Sequence, residues 1–240
     1  MREITERLRN CFSELKFVEK THTYTVQGKR MPSVSGLIKN YYKDFDSKAQ
    51  SVRTARVYGR KPEDVRAEWK AISDEACERG TRVHLFAEDY VWDRSLKPSC
   101  QQEEAACSFW DTLPSWLVPV TMEIQMFHKE FDFAGTADIV LYNKRTDKLI
   151  IADYKTNKDL FKNHRGQTML KPFSHLLDMP LNKYQLQLSY YQILLEQTGF
   201  EVESRVVVWL KKDGTFDMYH TEDYTEILNK ELEAWHHTEK

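Results

Sequence analysis

Two short stretches, Gly135-Thr-Ala-Asp138 and Ile150-Ile-Ala-Asp153-Tyr-Lys155, decide how the middle of the chain folds. Each belongs to a predicted strand, and the polar residues 143–147 between them are typical of a tight turn. Side chains two residues apart in a strand share a face, so Asp153 and Lys155 point the same way. Pairing of the two strands as a hairpin then brings Asp138 beside them.

The rest of the chain surrounds this hairpin with helices and further strands. A short hairpin at 22–31 is followed by a small helix for which Ser33 is the predicted N-cap. Helices are predicted over 46–56, 62–92 (interrupted or bent at Gly80), 101–112, 183–197 (capped by Gly199) and 222–235. Strands are predicted over 118–128, 131–142, 148–155, 203–211 and 215–220. This order predicts an α/β fold with a mixed central β-sheet flanked by helices.

Length and composition favour one soluble domain. The chain has 240 residues, of which 41% are hydrophobic and 30% charged, and it has no apolar run near the roughly 20 residues of a membrane helix. No signal peptide is evident, so we expect a cytoplasmic protein without membrane contact. We predict a single domain over 1–240, with a hairpin and basic helical elaboration (1–70), a catalytic core (71–220) and a C-terminal helix (221–240).

Charge is unevenly distributed along the chain. The overall formal charge is −2, but residues 1–70 carry +7, residues 71–140 carry −8, residues 141–190 carry +5 and residues 191–240 carry −6. An acidic segment between two basic ones suits a metal centre that faces a phosphate backbone.

Asp138, Asp153 and Lys155 form the candidate chemical site. Two carboxylates at strand ends provide hard oxygen ligands for Mg²⁺ or Mn²⁺, as one or two ions. A lysine beside them would position or deprotonate a water, or stabilise charge developing on a phosphate. The alternative is that the acids are ordinary strand-end residues and the lysine is solvated.

Three further features support the functional interpretation, although each alone has an ordinary structural explanation. His84 lies one turn inside a helix after Gly80-Thr81, which permits close approach of that helix to the sheet. Glu123 lies on the strand that precedes Asp138. Gln187 and Tyr191 are four residues apart and share one helical face.

Together these motifs resemble the PD-(D/E)XK nuclease superfamily, in particular its RecB-like and phage exonuclease branch. The family order is a G-T-x-x-H helix, a strand glutamate, a G-x-x-D strand, a D/E-x-K strand and a Q-x-x-x-Y helix, and all five occur here in order. The resemblance implies a restriction-endonuclease-like core and metal-dependent hydrolysis of DNA. Ala137 replaces the proline of the family name, and Asp153 replaces the commoner glutamate.

The resemblance also implies a role for each residue. Asp138 and Asp153 would be metal ligands together with the backbone carbonyl of Tyr154, and His84 would be an additional ligand. Glu123 would be an auxiliary acid and Lys155 the catalytic lysine. The helix motif would contact DNA or support the site through two side chains, Gln187 and Tyr191.

The cysteines exclude one cofactor known in this branch. Cys11, Cys77, Cys100 and Cys107 contain no C-x-x-C pair, and we expect them to be reduced and buried as small hydrophobic residues. Some relatives bind an iron–sulfur cluster through one cysteine before the histidine helix and three after the Gln-Tyr helix. No cysteine follows Cys107, so we expect no iron–sulfur cluster.

A basic segment upstream is the predicted DNA contact, because cationic side chains dominate non-specific affinity for phosphates. Aromatic residues just before it, Tyr41, Tyr42 and Phe45, would stack on bases of a single strand. A solvated helix face and core aromatics are the alternative. The predicted phosphate contacts are Lys48, Arg53, Arg56 and Arg60.

Three functions remain open from sequence. The first is a DNA exonuclease of phage or recombination and repair type, with a recombination or replication protein as partner. The second is an endonuclease for single-stranded, flapped or branched DNA. The third is a non-catalytic DNA-binding module on the same fold.

Overall fold

The computed structural model describes residues 2–238. The described chain forms seven α-helices and eight strands, with two short 3₁₀ turns at Glu19–Thr21 and Lys39–Tyr41. The helices are α1 (Arg2–Cys11), α2 (Val34–Ile38), α3 (Ser47–Tyr58), α4 (Pro62–Trp92), α5 (Gln101–Thr112), α6 (Pro180–Glu196) and α7 (Thr225–Thr238). The strands are β1 (Leu15–Val18), β2 (Thr23–Val26), β3 (Lys29–Met31), β4 (Leu117–Phe127), β5 (Ala134–Asn143), β6 (Lys148–Lys155), β7 (Val202–Leu210) and β8 (Phe216–His220).

The main sheet has five strands in sequence order, β4-β5-β6-β7-β8. Neighbouring strands pair antiparallel, except that β6 and β7 are parallel. A parallel pair needs a long crossover, and the connection through α6 supplies it. The predicted α/β fold with a mixed central sheet flanked by helices is confirmed.

The sheet separates two hydrophobic cores. One core contains buried residues of α6, α2, α7 and α1, including Leu186 and Leu194. The other lies under α4 and α5 and includes Val83 and Phe109. Strands β5 and β6 are buried on both faces, which explains their nearly continuous apolar sequence.

The N-terminal region is more extensive than the predicted hairpin. Strand β1 pairs antiparallel with β2, which pairs with β3, so a second sheet of three strands forms. Helix α1, which precedes it, was also missed; its single fully packed residue is Leu8. Four residues of β1 between charged neighbours give too little periodicity for a prediction. Ser33 caps α2 as predicted, and its hydroxyl accepts from the Gly36 N–H at 3.1 Å.

Three local predictions need correction. Helix α4 runs without interruption through Gly80. The glycine lets the helix lie close to the segment after β6, because a Cβ there would lie 3.3 Å from the Thr156 hydroxyl. Helix α6 ends at Glu196 with Gln197 as its cap residue, while Gly199 adopts a left-handed conformation two residues later. The cysteines are not buried: Cys77 is exposed and the other three are partly exposed.

Among residues 2–238, no helix combines the length and the apolar character needed to cross a membrane.

Candidate active site

The candidate site lies beside α4 and α6, at the end of β6 and at the middle of the neighbouring strands β5 and β4. Ile139 of β5 pairs with Ala152 of β6, so Asp138 and Asp153 occupy the next opposing position. Residues opposite each other in an antiparallel pair have neighbouring Cβ atoms. Both aspartates are buried, and Lys155 Nζ donates to Asp153 Oδ2. The structure thus brings together the three residues that the hairpin argument predicted.

Glu123 joins them through an irregularity in β4. Its φ is +48°, a left-handed conformation that is uncommon for residues other than glycine. By register it lies opposite Asp138. Alternation of sides breaks at this position, because the cross-strand pairs that flank it lie in opposite cores. These pairs are Met122 with Ile139, in the core under α4 and α5, and Ile124 with Ala137, in the core under α6.

Because of this break, Glu123 and Asp138 border a cleft that is lined by α4 from one face of the sheet and by α6 from the other. His84 of α4 places Nδ1 3.3 Å from Asp138 Oδ2. One potential ligand atom each from His84, Glu123 and Asp138 lie within 4.8 Å of one another. Asp153 does not belong to this trio, since its carboxylate pairs with Lys155.

Burial and mutual repulsion dominate the electrostatics of the acids. Burial, followed by the charges of Asp138, Glu88 and Asp153, raises the pKa of Glu123 to about 8. Burial and Asp138 raise the pKa of Asp153 to about 6, although Lys155 opposes this. Burial alone would lower the pKa of Lys155, but Asp153 and Asp138 more than offset it and hold that pKa above its ordinary value. The site therefore concentrates negative charge that a cation would stabilise.

The donor set fits a hard divalent cation. Two carboxylates and one imidazole converge at Asp138, and carboxylate oxygens are the ligands that Mg²⁺ and Mn²⁺ prefer, with imidazole tolerated by Mn²⁺. Burial and the neighbouring acids raise the pKa of Glu123 despite the charge of Lys155, so a bound cation would favour its charged form. Residues His84, Glu123 and Asp138 are thus suited to hold such an ion.

Tyr154 fixes the strand between the two aspartates. Its backbone N–H donates to Asp138 Oδ2 at 2.8 Å, which orients that carboxylate. Its phenol is buried and accepts from Trp110 Nε1 at 2.5 Å. The side chain therefore anchors β6 to α5, and a ligand role for the backbone carbonyl of Tyr154 stays a prediction.

The helix motif borders the same cleft, whose volume is about 780 Å³. Gln187 Nε2 donates to the Tyr191 hydroxyl at 2.6 Å. Gly135 packs against this tyrosine so closely that a Cβ would lie 2.7 Å from ring atom Cε1. The pair thus forms one wall of the cleft, and the glycine of the G-x-x-D motif makes room for it.

Two parts of the site were missed in the sequence. Residues of the N-terminal region, including His22 and Tyr24, also line the cleft, and the Tyr24 hydroxyl bonds to Thr136 Oγ1 at 2.8 Å. The ring of Tyr184 lies 4.4 Å from Lys155 Nζ. Of these two parts, only Tyr184 could have been predicted from the sequence. It precedes Gln187 by three residues and therefore shares its helical face.

The predicted DNA contacts do not line the cleft. Lys48, Arg53 and Arg56 are exposed on α3, which packs against the first half of α4 through contacts such as Arg66 Nη1 to Ser51 Oγ at 3.0 Å. Arg60 forms an ion pair of 2.6 Å with Glu68 and is less available for phosphate.

The three aromatic residues before α3 differ in exposure. Tyr41 is buried and bonds to Tyr190 at 3.0 Å, so its predicted stacking on bases is wrong. Tyr42 is covered on one side by Lys183 Nζ, 3.7 Å from its ring centroid. Phe45 is 68% exposed and stays available.

The fold and the site together define an α/β protein with a candidate cation site and a lysine on adjacent strands of the central sheet. The model of the PD-(D/E)XK nuclease superfamily matches residues 53–237, so the chain belongs to this superfamily. It is accordingly a metal-dependent nuclease in general terms, and the family implies DNA as its substrate.

Other comparisons add little. No curated protein matches the chain. Among solved structures, the crystal structure of SSO0001 is similar, with 14% identity and a TM-score of 0.47 over 99% of this chain and 84% of that one. At that level the similarity carries no information about function.

Proposed function

We propose that the protein is a Mg²⁺- or Mn²⁺-dependent deoxyribonuclease that degrades DNA from ends, as an exonuclease of the RecB-like and phage type. The observation that carries the proposal is the convergence of His84, Glu123 and Asp138 beside the Lys155–Asp153 pair in one cleft. The histidine supports the exonuclease branch, because its G-T-x-x-H motif resembles that group. A recombination or replication protein is the partner expected with this activity.

Each residue has a role that follows from its position. His84, Glu123 and Asp138 would hold the cation, with Asp153 and the Tyr154 carbonyl on the adjacent strand completing its ligands. The ion would supply charge stabilisation on the scissile phosphate and lower the pKa of water.

Lys155 is suited to stabilise charge on the phosphate. Asp153 and Asp138 outweigh burial and hold its pKa above the ordinary value, so the ammonium form persists at neutral pH. An ammonium donates hydrogen bonds and accepts none. We therefore assign Lys155 to positioning the nucleophilic water and phosphate and to neutralising developing charge, rather than to removing a proton.

The test is DNA degradation with Mg²⁺ and Mn²⁺ titrated separately, using linear and covalently closed circular DNA. We expect loss of linear DNA by the wild type, sparing of the circle, and no activity with EDTA. Asp138→Asn, Asp153→Ala and Lys155→Ala should each lower the rate by at least about 100-fold, the scale of a lost charge-stabilising group. Glu226→Gln, an exposed acid on α7, is the matched control and should keep full activity.

Two results would overturn parts of the proposal. Equal cleavage by wild type and Asp153→Ala would remove the nuclease assignment at this site. Cleavage of the closed circle at the rate of the linear form would replace the exonuclease by an endonuclease.

A further inference from the structure

A second cleft, away from the candidate active site, opens between the start of α3 and the first half of α4. Its volume is about 680 Å³. Phe45 and Trp69 meet there with ring centroids 5.7 Å apart and planes at 60°. Phe45 is 68% exposed and Ile72 is 58% exposed. We call this cleft the α3–α4 groove; its lining is completed by Ser47, Arg66, Lys70, Ser73 and Ala76.

Unpaired cations continue from the groove along α3. Lys43 and Lys48 flank Phe45 in sequence but alternate with Asp44 and Asp46, so the net positive charge lies further along the helix, where Arg53 and Arg56 are exposed. None of these four side chains forms an ion pair with any residue of 2–238. Eight residues of helix separate Lys48 from Arg56, about 12 Å at 1.5 Å per residue. A row of free cations beside exposed aromatic rings is complementary to an anionic ligand that carries flat apolar groups.

We propose that the α3–α4 groove binds single-stranded DNA, with bases stacked on Phe45 and Trp69 and phosphates on the cations of α3. The proposal rests on the nuclease function and adds a substrate site to it. Aromatic platforms beside a positive track are how proteins hold single strands without sequence preference. In a duplex the base faces are stacked on one another, so these rings have nothing to bind.

The distance to the candidate active site sets a length requirement. Fifteen residues of continuous helix separate Trp69 from His84, which is about 22 Å at 1.5 Å per residue. At about 3.4 Å per nucleotide of a stacked strand, this span corresponds to about six nucleotides. Strands that occupy both sites must therefore be longer than about six nucleotides.

Binding is measured in the full chain carrying Asp153→Asn, which separates affinity from cleavage. Fluorescence anisotropy of labelled oligothymidylates of 4 to 20 nucleotides would compare this protein with the same protein carrying Phe45→Ala and Trp69→Ala. We expect at least about tenfold weaker binding of the 20-mer, as for the loss of one or two stacked bases. In the protein that keeps both rings, affinity should rise for strands longer than about six nucleotides, which reach both sites. We expect no change for a 20-base-pair duplex.

Trp92→Ala is the matched control, because Trp92 is 61% exposed at the other end of α4 and should not change affinity. Circular dichroism establishes that each variant is folded. The second variant carries Phe45→Leu and Trp69→Leu, which keep most of the apolar volume but remove the aromatic rings. Unchanged affinity for the 20-mer would overturn the proposal. So would equal losses for single strand and duplex, or loss of self-association in sedimentation without loss of DNA binding. If the wild type shows no nuclease activity, the proposed function fails, but the binding measurements still test the α3–α4 groove.

Discussion

Replacing Glu123 with glutamine should make the protein more stable, and the gain should depend on pH. The carboxyl group is partly buried among other acids, and its pKa is raised from 4.5 to about 8. Between these values the folded protein holds a proton that the unfolded chain has released. Folding stability therefore falls as pH rises from 4.5 to 8. Glutamine carries no charge, so Glu123→Gln does not lose stability through this group.

The size of the effect follows from the two pKa values. Their difference corresponds to about 5 kcal/mol, at about 1.4 kcal/mol per pH unit. At pH 5 the carboxyl of the unfolded chain is already mostly ionised, so part of the loss of stability has already occurred. At pH 8 the carboxyl of the folded protein is still half protonated, so part of the loss has yet to occur. The stability difference between variant and wild type should therefore grow by about 3–4 kcal/mol from pH 5 to pH 8. For a chain of this length that is about 7–14 °C in Tm.

Urea unfolding followed by circular dichroism, in EDTA at each half pH unit from 5 to 8, measures this difference. Because the charges of Asp153 and Glu123 repel each other, Glu123→Gln also relieves Asp153, and this adds to the gain in stability with pH. Parallel stability curves for the two proteins would refute the reasoning, because they would mean that Glu123 has an ordinary pKa. A second set of unfolding curves at pH 8 includes Mn²⁺. The ion should stabilise the wild type and should stabilise Glu123→Gln much less.

Three further substitutions test the packing that holds the site. Gly135→Ala should cost about 1–3 kcal/mol by overpacking, since a Cβ would meet the Tyr191 ring at 2.7 Å; an unchanged urea midpoint would contradict this. Trp110→Phe removes the 2.5 Å donor to the buried Tyr154 hydroxyl and should cost about 1–3 kcal/mol, whereas the double variant with Tyr154→Phe should recover part of the loss. Ser33→Ala removes the N-cap of α2 and should cost about 1 kcal/mol, while Ser33→Asp should cost little.

The regular elements were predictable because local sequence determines them. Helix α5 and strand β6 have the predicted bounds, since Pro114 follows the helix and the polar turn 143–147 precedes the strand. The ends of β5 and α6 differ by a few residues from the prediction. The start of α6 had a local signal that was not used, because Pro180 lies in the first turn. Helix α1 and strand β1 were missed; they are held by pairing and packing with distant residues, as in β1 with β2.

The candidate site was predictable to the extent that it follows from strand register. Asp138, Asp153 and Lys155 are brought together by regular pairing of β5 and β6, which alternation predicts. The ligand role of Asp153 stays a prediction; in the structure its carboxylate pairs with Lys155. The position of α3 along α4 could not be predicted, because it depends on helix packing that leaves no mark in the sequence of α3 alone.

At Glu123 strand β4 departs from regular strand geometry, and this departure places the residue in the candidate site. A regular β4 would place Met122 and Ile124 in the same core, and would turn Glu123 to one face of the sheet only. The positive φ sends these two neighbours into opposite cores and leaves Glu123 at the junction, where His84 from one face and Tyr191 from the other border the same cleft. Such a conformation costs about 1–3 kcal/mol, and the crowded carboxylates add to that cost. A fold selected for stability alone would carry neither feature, so both are better explained by a bound cation than by packing.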